Sequence, residues 1–368
     1  MIPYGHQFID KDDINSVVRA LKSDWLTQGP KILEFEKALA DYCGAKYAVA
    51  VSSGTAALHL AYLALGIKKG DEVIIPANTF AATANMAIAC GAKPVFCDIR
   101  MDSYNIDESK IAKLITKKTK AIVPVHFAGQ PANMDVIWRL ARKYKLKVIE
   151  DAAHALGAKY GRRRIGNGDS ALVTFSFHPV KAITMGEGGA IMTNQKEYYE
   201  RLIKLRSHGI SKNKQGSNSM GLLGFNYRLT DIQAALGLSQ LKKLNNFIAK
   251  RRRIAGWYCR QLRNIPQLIL PGKIGNAESA WHLFVIRAKF AKDRALLKDF
   301  LKAKGIGTQI HYPPVYLHPY YQRHGYARVN CKNAQIYGDT CLSIPIYSSL
   351  SRAQVSCISS HIKSYFNQ

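Results

Sequence analysis

Tyr47-Ala-Val-Ala-Val-Ser-Ser-Gly-Thr-Ala-Ala-Leu58 holds a strand, a tight turn and the start of a helix within twelve residues. The run Tyr47–Val51 favours a buried extended strand. Ser52 and Ser53 interrupt it, Gly54 allows a close turn, and an apolar helical segment continues through Leu65. Free amides at a helix start, a hydroxyl and a small glycine make a phosphate cradle, because the helix dipole places positive charge there. Taken alone, the same string also reads as an ordinary Ser/Thr cap.

The strand–turn–helix theme repeats on both sides. Before it, Ile32, Phe35, Leu39 and Tyr42 recur at helical spacing and stop at Gly44. After it come the strand-like runs Glu72–Ile75, Pro94–Asp98, Ala121–Val125 and Lys147–Glu150, with helical stretches between most of them. Leu172–Phe177 and Ala190–Thr193 complete the series. This alternation predicts an α/β fold with a mostly parallel central sheet covered by helices on both faces. A helix starts near Thr230-Asp231 and runs past Gln240, and the pattern then changes. Strand-like Trp281–Arg287 and Thr308–His311, a helical segment near 292–304 and a last helix near 350–366 predict a smaller C-terminal α+β domain. The expected division is 1–245 and 246–368, a natural split for 368 residues.

Composition narrows the class. No stretch reaches the roughly 18 unbroken apolar residues of a membrane span, and residues 1–10 do not read as a secretory signal. Seven scattered cysteines without a Cys-x-x-Cys pair argue against a disulfide framework or a zinc site and suit a reduced cytoplasm. With 53 basic and 25 acidic residues the formal net charge is +28. Such a surface attracts polyanions. Yet the densest basic runs, Arg162–Arg164 and Lys250–Arg253, are short and lack interleaved stacking aromatics, so a basic solvated surface is preferred over nucleic-acid binding.

Ligands of open α/β sheets sit at the carboxyl ends of the strands, so polar residues after apolar runs carry the chemistry. Glu150-Asp151-Ala-Ala-His154 follows one such run. A carboxylate there can hold a pyridine nitrogen protonated; in isolation Asp151 also reads as a helix cap and His154 as a structural histidine. Phe175-Ser-Phe-His-Pro-Val-Lys181 leads into Glu187-Gly-Gly189, glycines that let backbone approach a ligand. An amine at Lys181 can form a Schiff base with an aldehyde, and desolvation would lower its pKa enough to shuttle protons. Asn226 and Arg228, in Gly224-Phe-Asn-Tyr-Arg228, suit anion contacts.

Together, Asp24-Trp-Leu-Thr-Gln-Gly-Pro30, Ser53-Gly-Thr-Ala-Ala57, Asp151–His154, Phe175–Lys181, Glu187–Gly189, Asn226-Tyr-Arg228 and His311-Tyr-Pro-Pro314 resemble the DegT-like sugar-nucleotide aminotransferases. The resemblance runs over nearly the whole chain and implies the aspartate-aminotransferase type of pyridoxal-phosphate (PLP) fold. It implies that Lys181 binds the cofactor as a Schiff base and moves the proton, that Asp151 pairs with the pyridinium and that His154 lies close to the ring. Phe80 would stack on the ring. Gly54, Thr55, Ala56 and Ser176 would contact the cofactor from one subunit, and Asn226 would reach its phosphate from the other, which makes a homodimer. Sugar-nucleotide contacts would fall on Tyr4, Thr27, Arg228, His311 and Tyr312.

Within the family, Ile2-Pro-Tyr4, Leu26–Gly29, Pro124–Gly129, Arg206–Gly209 and His311–Val315 look most like the branch serving pseudaminic acid biosynthesis. That branch moves an amino group from L-glutamate to C4 of a UDP-linked 4-keto-6-deoxy-N-acetylhexosamine. Enzymes for other nucleotide-linked keto sugars, perosamine-type or 3-amino, share most of these strings. A sugar dehydratase on the same fold is disfavoured, because those relatives replace the lysine with histidine. A regulatory or nucleic-acid-binding protein on this fold is the rival of another class.

Overall fold

The computed structural model describes residues 1–212, 216–272 and 275–367. Seven strands form the central sheet: β1 Tyr47–Val51, β2 Glu72–Pro76, β3 Lys93–Cys97, β4 Thr119–Ile122, β5 Lys147–Asp151, β6 Leu172–Ser176 and β7 Gly189–Thr193. Their spatial order is β1-β7-β6-β5-β4-β2-β3. Only β7 is reversed, pairing antiparallel with both β1 and β6; the remaining pairs are parallel.

Both faces of this sheet are buried, which is why its strands read as continuous apolar runs. Neighbouring residues nonetheless point to opposite cores. Val49, Val51, Val73 and Ile75 enter one hydrophobic cluster, whereas Ala48, Ala50 and Ile74 enter the other. The first cluster is roofed by α3 (Gly54–Ala64), through Leu60 and Tyr62, and by α4 (Ala81–Ala89). The second is covered by α2 (Pro30–Cys43), α5 (Met134–Lys143) and the first half of α7 (Asp231–Leu262); α1 (Lys11–Leu21) also packs on α7, and α6 is Lys196–Arg206.

Helix α7 begins where the capping pattern predicts. Thr230 is its N-cap, and Gln233 completes a capping box. It runs past Gln240 as expected and continues to Leu262, so the expected division at 245/246 falls inside it. Leu244, Phe247 and Ile248 belong to the large-sheet core, while Ile254, Tyr258 and Leu262 belong to a third core. That core packs α7 against a small antiparallel sheet of β8 (Leu268–Ile269), β9 (Phe284–Ala288) and β10 (Cys341–Ile344), with helices α8 (Ala291–Ala303) and α9 (Arg352–Phe366). One continuous helix thus joins the two parts.

Three local expectations shift. Strand β4 ends at Ile122, and Val125 keeps only an isolated bridge to Asp151. The run from Trp281 becomes a strand only at Phe284, because the carbonyls of Trp281 and His282 turn towards Arg251 of α7. Thr308–His311 forms no strand; Gln309 makes a single bridge to Ser343.

Candidate active site

The carboxyl ends of β1, β5 and β6 open into one cavity of about 630 Å³, the position a parallel sheet reserves for ligands. At the end of β1, Ser53 caps α3 by accepting a hydrogen bond from the Ala56 amide (3.1 Å). Gly54 lies against Ser176 at the end of β6: a Cβ at Gly54 would stand 2.7 Å from the Ser176 Cβ and 3.1 Å from its Oγ. No larger residue fits there without moving one of the two chains. Gly54, Thr55 and Ser176 therefore meet at one side of the cavity around a helix N-terminus.

At the end of β5, Asp151 is buried and both its carboxylate oxygens are engaged. Thr83 of α4 donates to Oδ2 (2.7 Å), and the Ala153 amide donates to Oδ1 (3.2 Å). Thr83 is itself paired with Thr79 (2.7 Å). These contacts fix the carboxylate plane while leaving it on the cavity wall.

Lys181 follows β6 and lines the same cavity, half-buried. Burial pushes its amine down to about 8, against the opposing pull of Asp151. A minority of it is then neutral just above neutrality, far more than for an ordinary lysine, and that is the form in which an amine is a nucleophile or base.

Five more predicted residues join them. His154 is buried, its Nε2 is 3.4 Å from the Tyr312 hydroxyl and its Nδ1 has no hydrogen-bond partner. Burial, with Lys181 and His311 adding to it, holds this imidazole well below its usual value. Nδ1 of His311 is 2.8 Å from Ser343 Oγ, and burial lowers this histidine to about 4. Tyr312 has its phenol pushed well up by burial. The ring of Tyr4 lies 5.7 Å from that of His311. Phe80 caps α4 without a side-chain bond and is 59% exposed over the cavity mouth, so in a single chain the ring has an open face.

Other predicted residues lie elsewhere. Ala56 spends its amide on Ser53 and packs its methyl in the core. Thr27 is exposed and bridges to Thr230; Asn226 is exposed and bridges to Ser207. Arg228 is half-buried with an unpartnered Nε. None of these four borders the cavity.

Two histidines escaped the sequence reading. His282 lines the cavity with its ring 4.3 Å from that of His154. His126 lies behind the strand ends, where its Nδ1 accepts from the Ala132 amide (3.1 Å). Its proton is thereby placed on Nε2, which donates to the buried Glu150 (2.7 Å).

The arrangement offers a phosphate-sized cradle at a helix start, a fixed carboxylate, and a partly neutral amine in the same cavity. The residues fit PLP: Gly54 and Ser176 could hold a phosphate, and Asp151 could face a protonated ring nitrogen. Among the described residues no cluster of His, Cys, Asp and Glu could hold a metal, and no helix is long and apolar enough to cross a membrane.

Known proteins share this architecture from end to end. The chain is 42% identical over 364 residues to the spore coat polysaccharide biosynthesis protein SpsC of Bacillus subtilis, covering 95% of this chain and 93% of the relative. It is 41% identical over 355 residues to the UDP-4-amino-4,6-dideoxy-N-acetyl-beta-L-altrosamine transaminase of Campylobacter jejuni, with the same coverage. The solved structure of PseC from Helicobacter pylori, an aminotransferase involved in the biosynthesis of pseudoaminic acid, superposes with a TM-score of 0.95 at 35% identity, covering 100% of this chain and 99% of that one. With a family profile matching residues 7–363, the chain belongs to the DegT/DnrJ/EryC1/StrS aminotransferase family.

Proposed function

We propose that this protein is a PLP-dependent aminotransferase that moves an amino group from L-glutamate to C4 of a UDP-linked 4-keto-6-deoxy-N-acetylhexosamine. The observation that carries the chemistry is the meeting of Lys181, Asp151 and the Gly54–Ser176 cradle in one cavity. The likeness to the altrosamine transaminase and to PseC supports the sugar.

When bound, PLP supplies an electrophilic aldehyde and an electron sink for the carbanion left after proton removal. The chain's own residues do the rest. Gly54, Thr55 and Ser176 hold the phosphate, with help from the positive end of α3. Asp151, locked by Thr83 and Ala153, keeps a ring nitrogen protonated. His154 and Phe80 confine the ring. The Lys181 amine takes the α-proton of the donor in the first half of a ping-pong cycle and returns a proton to the sugar carbon in the second. Tyr4, His311 and Tyr312 border the space where a sugar ring would lie, and burial keeps His311 neutral, able to donate or accept but not to add charge.

The proposal includes a homodimer in a reducing cytoplasm. Asn226, exposed and away from its own cavity, is assigned to the phosphate bound by the other subunit. Thr27 and Arg228 are assigned to the substrate side of the same junction.

Purified protein should be yellow, and glutamate should bleach it. With a panel of UDP-, GDP- and dTDP-linked keto sugars, mass spectrometry and NMR should find amination at C4 of the UDP-linked N-acetyl sugar. A colourless protein that holds nucleic acid through a salt wash would sink the enzyme reading. Amination confined to other nucleotides or other carbons would sink the sugar alone.

A further inference from the structure

His154 is an unusual ligand-facing imidazole because hydrogen bonds hardly orient it. Its Nδ1 has no partner, and its Nε2 contact to Tyr312 is long at 3.4 Å. Side-chain amides and imidazoles in cavities are ordinarily fixed by such bonds. What holds this ring is packing. The ring of Phe127 stands 6.0 Å away, nearly edge-on, and that of Tyr312 6.3 Å away. The His282 ring is much closer, at 4.3 Å with a 40° tilt.

His282 is in turn held from behind by its backbone. The Nη1 of Arg251 donates to the carbonyls of Trp281 (3.3 Å), His282 (3.2 Å) and Ile346 (2.9 Å). Arg251 is a buried cation on α7 whose Nη1 faces these three carbonyls while its Nε has no partner. From the other side, the turn at Gly129 presses close. A Cβ there would lie 2.9 Å from the Trp281 nitrogen and 3.0 Å from both the His282 nitrogen and the His154 carbonyl oxygen. The backbones carrying the two histidines are therefore clamped on one glycine, which excludes any side chain between them.

We propose that His282 is a positioning residue for the amino-transfer site: clamped by Arg251 and Gly129, it sets the plane of the His154 ring that confines the cofactor. This rests on the PLP reading above. The geometry makes a mechanical chain from α7, which joins the two parts of the molecule, to the catalytic cavity. It also requires that His282 act by ring volume rather than by proton transfer. Burial and the neighbouring His154, Lys181, Arg251 and His311 all hold His282 well below its usual pKa, in agreement with a neutral packing ring.

The test compares His282→Ala with His282→Phe, which keeps a flat ring and removes both nitrogens. In cofactor-free protein, the NMR signals of the His154 ring should shift and broaden in His282→Ala and stay sharp in His282→Phe. In the holoenzymes, His282→Ala should still show the yellow Schiff-base band, but the visible circular dichroism of that band should fall several-fold. Its kcat should drop about tenfold with KM for glutamate changed less than about twofold, because ring placement matters most in the transition state. His282→Phe should stay within about threefold of the parent. Unchanged His154 signals and dichroism in His282→Ala would overturn the proposal, as would a His282→Phe variant as impaired as His282→Ala. If His282→Ala does not fold, the Phe variant and the parent His154 signals still decide between packing and proton transfer. Failure of the parent protein to form a yellow band is a different result and would count against the PLP reading instead.

Discussion

Lys181 takes its chemistry from what surrounds it: an amine displaced to about 8 by burial, with a carboxylate near enough to oppose that shift. Lys181→Ala should abolish amino transfer, by more than a thousandfold in kcat, while the protein still binds PLP and sugar nucleotide. Rapid-mixing spectroscopy with glutamate reads both, and normal turnover in the variant would refute the assignment. Three histidines around it make a second, independent prediction. His154, His282 and His311 are all displaced downwards by burial, His311 to about 4. A depressed histidine leaves the unfolded chain binding more protons than the folded one, so its contribution to stability is present above about pH 6.5. That contribution is lost as pH falls towards the folded value. Glu36, raised by burial, works in the opposite sense, but it is one group against three. The urea midpoint of the cofactor-free protein should therefore fall between pH 7 and pH 5; a constant or rising midpoint would contradict it. At this scale Lys181, Asp151 and Gly54 were legible because each follows a strand-like run in a recognisable string. His282 was not. It sits in Trp281-His-Leu-Phe, which reads as strand interior, and only the long-range clamp of Arg251 and Gly129 turns it into the cavity.

At the level of elements, the strands of the large sheet were readable because each is buried on both faces and bounded by turn residues. Where the pattern misled, backbone partners explain it. Thr308–His311 alternates like a strand, yet only Gln309 finds a bridge, to Ser343. The division expected at 245/246 falls inside helix α7 because its apolar stripe changes partners, from the large-sheet core through Ile248 to the small-domain core from Ile254, without any break in the helix. The junction at its start carries a testable device. Asp231, fully buried, accepts from the Gly29 amide (2.7 Å) and the Lys31 amide (2.9 Å), and so caps α2 from another element. Asp231→Ala leaves two donors without their acceptor and should lower stability by about 3 kcal/mol. Asp231→Asn, which keeps one acceptor oxygen, should recover part of it. Urea unfolding of the three proteins measures this, and equal midpoints would show that water replaces the carboxylate without loss.

For the whole molecule, two features of the single chain look outward. Phe80 exposes 59% of its surface at the cavity mouth, and Asn226 and Thr27 stand exposed away from this chain's own cavity. The proposed homodimer would account for both, because two-fold symmetry would return each exposed segment to the opposite site. The claim that sites are shared can be tested without a structure of the dimer. Lys181→Ala lacks the amine and Asn226→Ala lacks the reach across the junction, so each homodimer should be nearly inactive. In a hybrid, one site carries both lesions and the other carries neither. Unfolding and refolding an equal mixture should make half of the dimers hybrid, and so restore roughly a quarter of the parent's activity per site. Mixing without subunit exchange should restore none. If the refolded mixture only averages the two parents, Asn226 serves its own chain, and its distance from the cavity would have to be closed by movement of the segment that carries it.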